Sequence, residues 1–163
     1  MVSAWAAQSR VVLGQWAVDR KSNEITAIPE LLKRLAVQDC IVTVDALNCQ
    51  RKVATTVIER GGDYAMAVKE NQEQLYQTLE KLFTPEELHW VAHDTYETRE
   101  RGHGRAEHRK CWVTSDQDYL DYIAEGADWT GLRSLIMVET VRQTPEEHTV
   151  NRRYFISSLP ADA

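Results

Sequence analysis

The chain has 163 residues, of which 43% are hydrophobic and 27% charged, and its formal net charge at pH 7 is −6. A chain of this length can bury a core as one domain without disulfides or a structural metal. The negative charge excludes a uniformly basic nucleic-acid binder, because affinity for phosphate depends on accumulated Lys and Arg. Any contact with DNA must therefore be local.

Motif and composition also narrow the class of protein. The longest apolar runs are too short to span a membrane, and the N-terminus lacks the basic-then-apolar order of a signal peptide. There is no Walker loop, G-x-S-x-G or dinucleotide fingerprint, so neither a membrane nor a small-molecule substrate is expected. Three cysteines without CxxC spacing predict reduced thiols and a cytoplasmic location.

The first half of the chain alternates strands and helices. VSAWAA and VVLGQWAV, separated by QSR, predict a hairpin. Apolar residues three and four apart predict a helix over 25–36, which tolerates Pro29 only in its first turn. A buried strand over 41–45 follows.

A second helix is predicted from Val53, Val57 and Ile58, and it ends at the Gly61-Gly62 pair. Residues 63–69 then predict a strand, and residues 72–83 a third helix. The order of strand, strand, helix, strand, helix, strand and helix predicts an α/β fold, in which helices cover a mixed sheet.

The second half, after Thr84-Pro85, is richer in strands. VAHDTYETRE and HRKCWVTS predict two strands joined by RGHGR, and DQDYLDYIAE predicts a short helix. LRSLIMVETVRQ and VNRRYFISS predict paired strands across the loop TPEEHT. The chain is therefore expected to divide into a core segment, 1–84, and a β-rich insertion, 85–163.

Asp45 ends a predicted buried strand, where open α/β sheets gather functional groups. Its carboxylate can bind Mg²⁺, a hard ion that prefers oxygen ligands. The alternative is that Asp45 or Asn48 caps the following helix. Asp19 ends another predicted strand, but three strand spacings, roughly 14 Å, separate it from Asp45. Because paired catalytic metals lie about 4 Å apart, Asp19 is expected to begin the turn DRKSN instead.

Two polar segments are candidates for contacts with nucleic acid. In ETRERGHGRAEHRK, residues 97–110, five Lys/Arg stand against three Glu, and Gly102 and Gly104 allow the backbone to approach a phosphate. The alternative is an ordinary hairpin with solvated charges. Lys69, Asn71 and Gln72 follow a strand and can contact a nucleic-acid backbone, or they can simply form the strand exit and cap the next helix.

Six stretches, in this order, resemble one family. They are MVSAWAAQSRVVLGQ, DRKSNEITAIPELL, IVTVDALNCQ, GGDYAMAVKENQ, RGHGRAEHRKCWV and RRYFISSLP. Together they are similar to DDE insertion-sequence transposases of the H-repeat-associated, Rhs-linked branch. The resemblance implies a ribonuclease H-like mixed sheet with flanking helices. It also implies an Asp, Asp and Glu that bind two Mg²⁺ ions for DNA cleavage and strand transfer.

The resemblance also assigns site residues. Asp45 matches the second catalytic carboxylate and metal ligand. The family's turn beside the active site corresponds to 69–72, with Glu70 replacing a glycine, and its histidine-glycine-arginine motif corresponds to 103–105. The expected contacts with DNA, both transposon ends and target, are Lys69, Asn71, Gln72, Arg101, His103, Arg105 and Arg109.

The first Asp, the Glu and the first central strand of the family pattern are expected to lie outside these 163 residues. We therefore expect this chain alone neither to cut nor to join DNA, and to bind Mg²⁺ weakly or not at all. Strands beside the missing one are expected to have open edges that favour self-association. Two readings stay open: the central piece of an active transposase, or a remnant that retains only DNA or subunit binding.

Overall fold

A computed structural model of the chain describes residues 1–17, 24–102 and 105–162. Side chains are described for these residues except 24 and 25. Asp19 and His103, two residues discussed above, lie outside the described part. The structure describes all the other predicted site residues.

The N-terminal hairpin forms as predicted. Strands β1 (Val2–Ala6) and β2 (Val11–Trp16) pair antiparallel in a sheet of their own. The hairpin packs on the following helix at Gly14, where a Cβ atom would lie 3.4 Å from side-chain carbons of Leu31 and Leu35. The Arg34 guanidinium adds a contact 4.1 Å above the Trp16 ring.

Helix α1 (Glu24–Leu32) ends four residues earlier than predicted. Pro29 is the sixth residue of the helix and therefore lies in its second turn, so the expectation that it occupies the first turn is wrong. The proline removes one helical hydrogen bond but is itself buried. Burial of its ring and of Ile28 and Leu32 in the core offsets this loss.

The main sheet has six strands in the order β3-β4-β8-β7-β6-β5. Strands β3 and β4 are parallel and all other neighbours are antiparallel, so the fold is mixed α/β with a mostly antiparallel sheet. The strands are β3 (Ile41–Val44), β4 (Asp63–Val68), β5 (Asp94–Gly102), β6 (Arg105–Thr114), β7 (Ser134–Gln143) and β8 (His148–Ser157).

Four further helices complete the described part: α2 (Arg51–Glu59), α3 (Glu73–Leu82), α4 (Pro85–Leu88) and α5 (Gln117–Gly126). Three of them match the predicted helices, whereas α4 was not predicted. It forms because the Thr84 hydroxyl accepts a hydrogen bond from the Glu87 N–H and Pro85 occupies the first turn.

The core lies between the helices and one face of the sheet. Strand β4 alternates, so that Tyr64, Met66 and Val68 share this face and are buried. Side chains of β7 and β8 lie beside them on the same face, and side chains of the helices cover this face; each contributes about 1.5–3 kcal/mol on burial. These are Val53, Val57, Leu79, Leu82, Ile123, Leu135, Met137 and Ile156.

The sheet crosses the predicted boundary at residue 84, because β8 pairs with β4. Beyond the ladder, the Tyr64 N–H donates to the Ser158 hydroxyl at 2.9 Å, and the Ser157 hydroxyl donates to the Tyr64 carbonyl at 2.8 Å. Both segments thus build one sheet, and the division into 1–84 and 85–163 stays a prediction.

Four strands of the described part, β1, β2, β3 and β5, have one side without a partner, and β1 and β3 are the two that concern the predicted missing strand. β1 pairs only with β2, and β3 pairs only with β4. Ile41 on β3 is 59% exposed and none of the four residues of β3 is buried, so the expectation of a buried strand there is wrong. The ribonuclease H-like order, with a missing central strand between these two edges, stays a prediction. Within the same residues, no helix is both long and apolar enough to cross a membrane.

Candidate active site

Asp45 follows the last residue of β3 and begins a short 3₁₀ turn, Ala46–Asn48. Its side chain is exposed, and its Oδ1 accepts two hydrogen bonds, from the Asn48 backbone N–H at 3.2 Å and from the Asn48 side-chain amide at 2.8 Å. Oδ2 accepts no hydrogen bond from the described residues. The capping role is therefore present, and it leaves one carboxylate oxygen available to a ligand.

Asn48 fixes the orientation of this carboxylate. Its side chain is only 8% exposed, and its amide must point the Nδ2 group toward Asp45 for the observed bond to form. The amide oxygen at the other end is buried and has no hydrogen-bond partner in the described part of the chain. Rotating the amide would bring two oxygens together, so the Asp45 rotamer is held from one side.

The turn after β4 braces the same loop. Because β3 and β4 are parallel, their carboxyl ends lie side by side. The Asn71 amide donates to the Ala46 carbonyl and the Gln72 amide to the Cys49 carbonyl, both at 2.9 Å. These two side chains thus support the Asp45 loop, and their predicted contact with DNA stays a prediction.

Lys69 is exposed between β4 and this turn. Its ammonium makes no hydrogen bond or ion pair with the described residues, so it is available to an anion at the same end of the sheet as Asp45. Glu70, which replaces the glycine of the family pattern, is exposed beside it. The neighbouring charges therefore have opposite signs.

A complete metal site is not formed by the described side chains. No group of three or more His, Cys, Asp or Glu among them is arranged to hold a metal ion. One carboxylate supported by neutral amides is a poor fit for Mg²⁺, which requires several oxygen ligands to replace its water. Asp45 fits as one ligand of a larger set.

The antiparallel strands β5 and β6, which contain most of the basic segment 97–110, place their arginines on two faces of the sheet. In β6, Arg105 and Arg109 are separated by four residues and therefore share a face. Arg101 lies opposite Ala106 and so points to the other face. The structure brings Arg105 and Arg109 together and separates Arg101 from them.

Glu107 and Arg142 were missed as site candidates. Glu107 lies between Arg105 and Arg109 on β6, is 5% exposed, and pairs across the strands with Arg142 on β7. Arg142 donates through Nε and Nη2 to Glu107 Oε2, both at 3.2 Å. The R-x-E-x-R spacing was readable from the sequence, but Arg142 is brought in only by the register of β6 and β7.

The three arginines hold Glu107 ionised. Burial alone would raise the pKa of Glu107, but the hydrogen bond from Arg142 and the charges of Arg109, Arg142 and Arg105 outweigh it, so this pKa lies below its usual value. Arg105 approaches Oε2 at 3.7 Å, and Arg109 forms an ion pair with Oε1.

Charges on the other face of these strands also form pairs, and Glu97 has two basic partners there, His108 and Arg99. His108 contacts Glu97 at 3.1 Å, and Arg152 donates to Glu139 at 2.8 Å. The hydrogen bond with His108, followed by the charge of Arg99, keeps the pKa of Glu97 below its usual value. Arg99, Arg101, Lys110 and Arg152 outnumber Glu97 and Glu139 on this face too, but they do not share one buried carboxylate as the arginines around Glu107 do.

Comparison with known proteins supplies the family. Residues 1–155 match the family model described as "Transposase DDE domain". The chain belongs to this family. It is 39% identical over 168 residues to an H repeat-associated putative transposase (YhhI) of Escherichia coli K12, covering 100% of this chain and 44% of that protein. The predicted resemblance to this branch is confirmed.

Two other family relatives differ in what their names state. The chain is 44% identical over 120 residues to the H repeat-associated putative transposase YbfD of E. coli K12, covering 74% of this chain and 47% of that protein. It is 38% identical over 162 residues to an uncharacterized protein of Xanthobacter autotrophicus, covering 99% of this chain and 54% of that protein. The chain thus spans about half the length of these relatives. No solved structure matches it.

Proposed function

We propose that the chain is the central part of a DDE transposase, which in its complete form catalyses Mg²⁺-dependent cleavage and strand transfer of DNA. The observation that carries this proposal is Asp45: an exposed carboxylate at the carboxyl end of β3, held through Oδ1 with Oδ2 available. Membership of the family supports the class of reaction.

In this proposal Asp45 is a catalytic metal ligand. Asn48 fixes its Oδ1, while the Asn71 and Gln72 amides donate to the carbonyls of the first residue of the 3₁₀ turn and of the residue directly after it. Such bracing holds a ligand within the narrow range of positions that a metal site requires. Bound Mg²⁺ would activate the attacking oxygen and stabilise the leaving one.

The proposed partners are transposon ends and target DNA, together with other copies of the chain. Lys69, Arg101, Arg105 and Arg109 would contact DNA phosphates, as would His103, which lies outside the described residues. Self-association would use the open sides of β1 and β3. The cytoplasmic location stays a prediction.

For the isolated 163 residues we propose no cleavage or joining of DNA. The described residues form no group of three or more ligands there, and Asp45 by itself cannot replace the charged oxygens that Mg²⁺ needs. Robust Mg²⁺-dependent cleavage by the purified chain, abolished by Asp45→Asn, would contradict this.

A second candidate is a remnant that binds DNA or transposase subunits without catalysis. The surplus of arginine around Glu107 favours it, because that surface is complete without any further carboxylate. The two candidates differ in whether this chain can supply a working Asp45 to an otherwise intact transposase.

A chimera tests this difference. The 163 residues replace the matching 168 residues of the E. coli relative YhhI, and excision and joining of its element are measured with Asp45 and with Asp45→Asn. Under the first candidate the chimera is active and Asp45→Asn removes activity, since asparagine keeps the cap but loses the charge.

Asp39→Asn is the matched control, because Asp39 is exposed six residues earlier and its positive φ of 58° suits asparagine. It should leave the chimera active. Activity that survives Asp45→Asn would overturn the role of Asp45, and a chimera inactive even with Asp45 would favour the remnant.

A further inference from the structure

We propose that Arg105, Arg109 and Arg142 form one binding site for the phosphate backbone of duplex DNA, and that Glu107 is the residue that positions them. The proposal rests on the proposed function in taking DNA as the polymer. It adds Arg142 to the expected contacts, gives Glu107 a role, and places this site on the face of the sheet opposite to Arg101.

The geometry assembles the three guanidiniums from two strands. Arg105 and Arg109 flank Glu107 along β6, and Arg142 stands directly opposite it on β7. All three contact the same carboxylate, whose side chain is only 3% exposed. A central buried anion therefore gathers cations that would otherwise repel one another.

Three arginines are more than a structural ion pair with one carboxylate needs. One carboxylate has two oxygens, whereas each guanidinium carries five N–H donors, so most donors remain unused by Glu107. The three side chains are 51%, 51% and 50% exposed, so these donors face solvent. Forked donors held in place are suited to phosphate oxygens.

The charge of the surrounding face is also positive. Glu100 lies opposite Glu107 on β5 and is exposed, which reduces the local excess. On β8, Arg153 shares the face through its pairing with Val138, and its guanidinium lies 5.2 Å from the Phe155 ring. On strands β5–β8 this face carries four arginines against Asp94, Glu100 and Glu107, which leaves a charge of +1 in a chain of −6.

This local excess resolves the difficulty that the overall charge raises for DNA binding. Affinity for DNA depends on the phosphates neutralised at the contact, and a single basic face can supply it while the rest of the chain is acidic. A contact of three or four arginines to phosphates also carries no sequence information, so the site positions the duplex rather than reads it.

The test measures binding of the 163-residue chain to a labelled duplex of arbitrary sequence by fluorescence anisotropy, across a range of salt concentrations. Arg142→Gln should lower the salt slope by about 1 and weaken binding about fivefold to tenfold at 0.1 M salt, as should Arg105→Gln. Arg99→Gln is the control, because Arg99 is 73% exposed on the opposite face and pairs with Glu97.

A second pair of variants isolates the positioning role. Glu107→Gln and Glu100→Gln each remove one negative charge from the same face. A purely electrostatic effect makes both variants bind more tightly. Positioning predicts that Glu107→Gln instead weakens binding several-fold while Glu100→Gln does not, with thermal unfolding followed in parallel to show that both are folded.

Wild-type affinity and slope in Arg142→Gln would overturn the site, as would an equal loss in Arg99→Gln or no binding by the wild-type chain. Equal effects of the two glutamate variants would overturn the role of Glu107. If Glu107→Gln does not fold, the arginine variants still decide the site. None of these results bears on Asp45, which the chimera tests separately.

Discussion

Strands β7 and β8 resemble each other in burial, but each strand differs strongly between its two ends. At one end, Leu135 and Ile156 are fully buried beneath helices. At the other, the first six residues of β8, 148–153, are all exposed, and the last two of β7 likewise. The same continuous ladder therefore serves as core and as surface.

The difference teaches that helices, rather than strand sequence alone, decide which part of this sheet is core. Where helices cover one face of the sheet, apolar side chains on that face alternate along each strand with side chains on the uncovered face. Beyond the helices, opposite charges paired across strands take their place, as in Arg152 with Glu139 and Arg142 with Glu107. Stability should therefore concentrate at one end and charge recognition at the other.

The largest effect should come from β8 itself. Ile156→Ala removes a fully buried side chain and should lower the free energy of unfolding by about 2–5 kcal/mol. Val150→Ala, on the same face of the same strand but 53% exposed, should change it by less than about 0.5 kcal/mol. Urea unfolding measures both free energies. Similar losses would mean that the exposed end of β8, residues 148–153, belongs to the core.

Acid should weaken the cluster of Glu107 with Arg105, Arg109 and Arg142. The folded pKa of Glu107 lies below its usual value of 4.5, so its contribution to stability is present above that value and is lost as pH falls through the folded pKa. The difference in unfolding free energy between wild type and Glu107→Gln should be constant near neutral pH and shrink below about pH 4.5. A difference unchanged down to pH 3 would contradict ionic support of the carboxylate.

Within the core, Tyr64→Phe should stabilise the protein by about 1 kcal/mol, because the buried Tyr64 hydroxyl has no hydrogen-bond partner among the residues that the structure describes. Burial also raises the pKa of Tyr64 well above its usual range. Tyr119→Phe is the comparison with the opposite sign, since its hydroxyl donates to Glu87 at 2.9 Å. Thermal unfolding of the two variants should move in opposite directions; a loss in both would show that the Tyr64 hydroxyl has a partner.

The smallest effect on stability is expected at Asp45. Asp45→Asn should alter the unfolding free energy by less than about 0.5 kcal/mol, because asparagine caps as well as aspartate does, whereas Asp45→Ala should cost about 1 kcal/mol. Chemical denaturation of the three proteins gives both values. A large loss in Asp45→Asn would mean that the charge itself is structural, which would weaken its assignment to catalysis.

Local patterns sufficed for the order of the elements and failed where distant residues meet. The hairpin, α2, α3 and α5 follow from periodicity and turn residues, which act within a few positions. Helix α4 is only four residues long, too short to show a period. The pairing of β4 with β8 joins residues some ninety positions apart, and no local pattern specifies it.

The same limit applies to the site. Asp45 was selected as a candidate because it follows a predicted strand and matches the family pattern, and its capping role was among the alternatives. The bracing by Asn71 and Gln72, and the meeting of Arg142 with Glu107, depend on which strands are neighbours. The alternation of side chains between the two faces could be predicted for β5 and for β6. Grouping Arg101 with Arg105 and Arg109 nevertheless overlooked that the chain reverses between them, which places Arg101 on the other face.

The pairing of β4 with β8 has a consequence for synthesis of the protein. Tyr64 exchanges hydrogen bonds with Ser157 and Ser158, separated from it by 93 and 94 positions. A nascent chain that has emerged only as far as β7 must hold one edge of β4 without its final neighbour. Such distant closure slows folding and leaves an intermediate prone to aggregate, so chaperones should engage this segment chiefly before β8 leaves the ribosome.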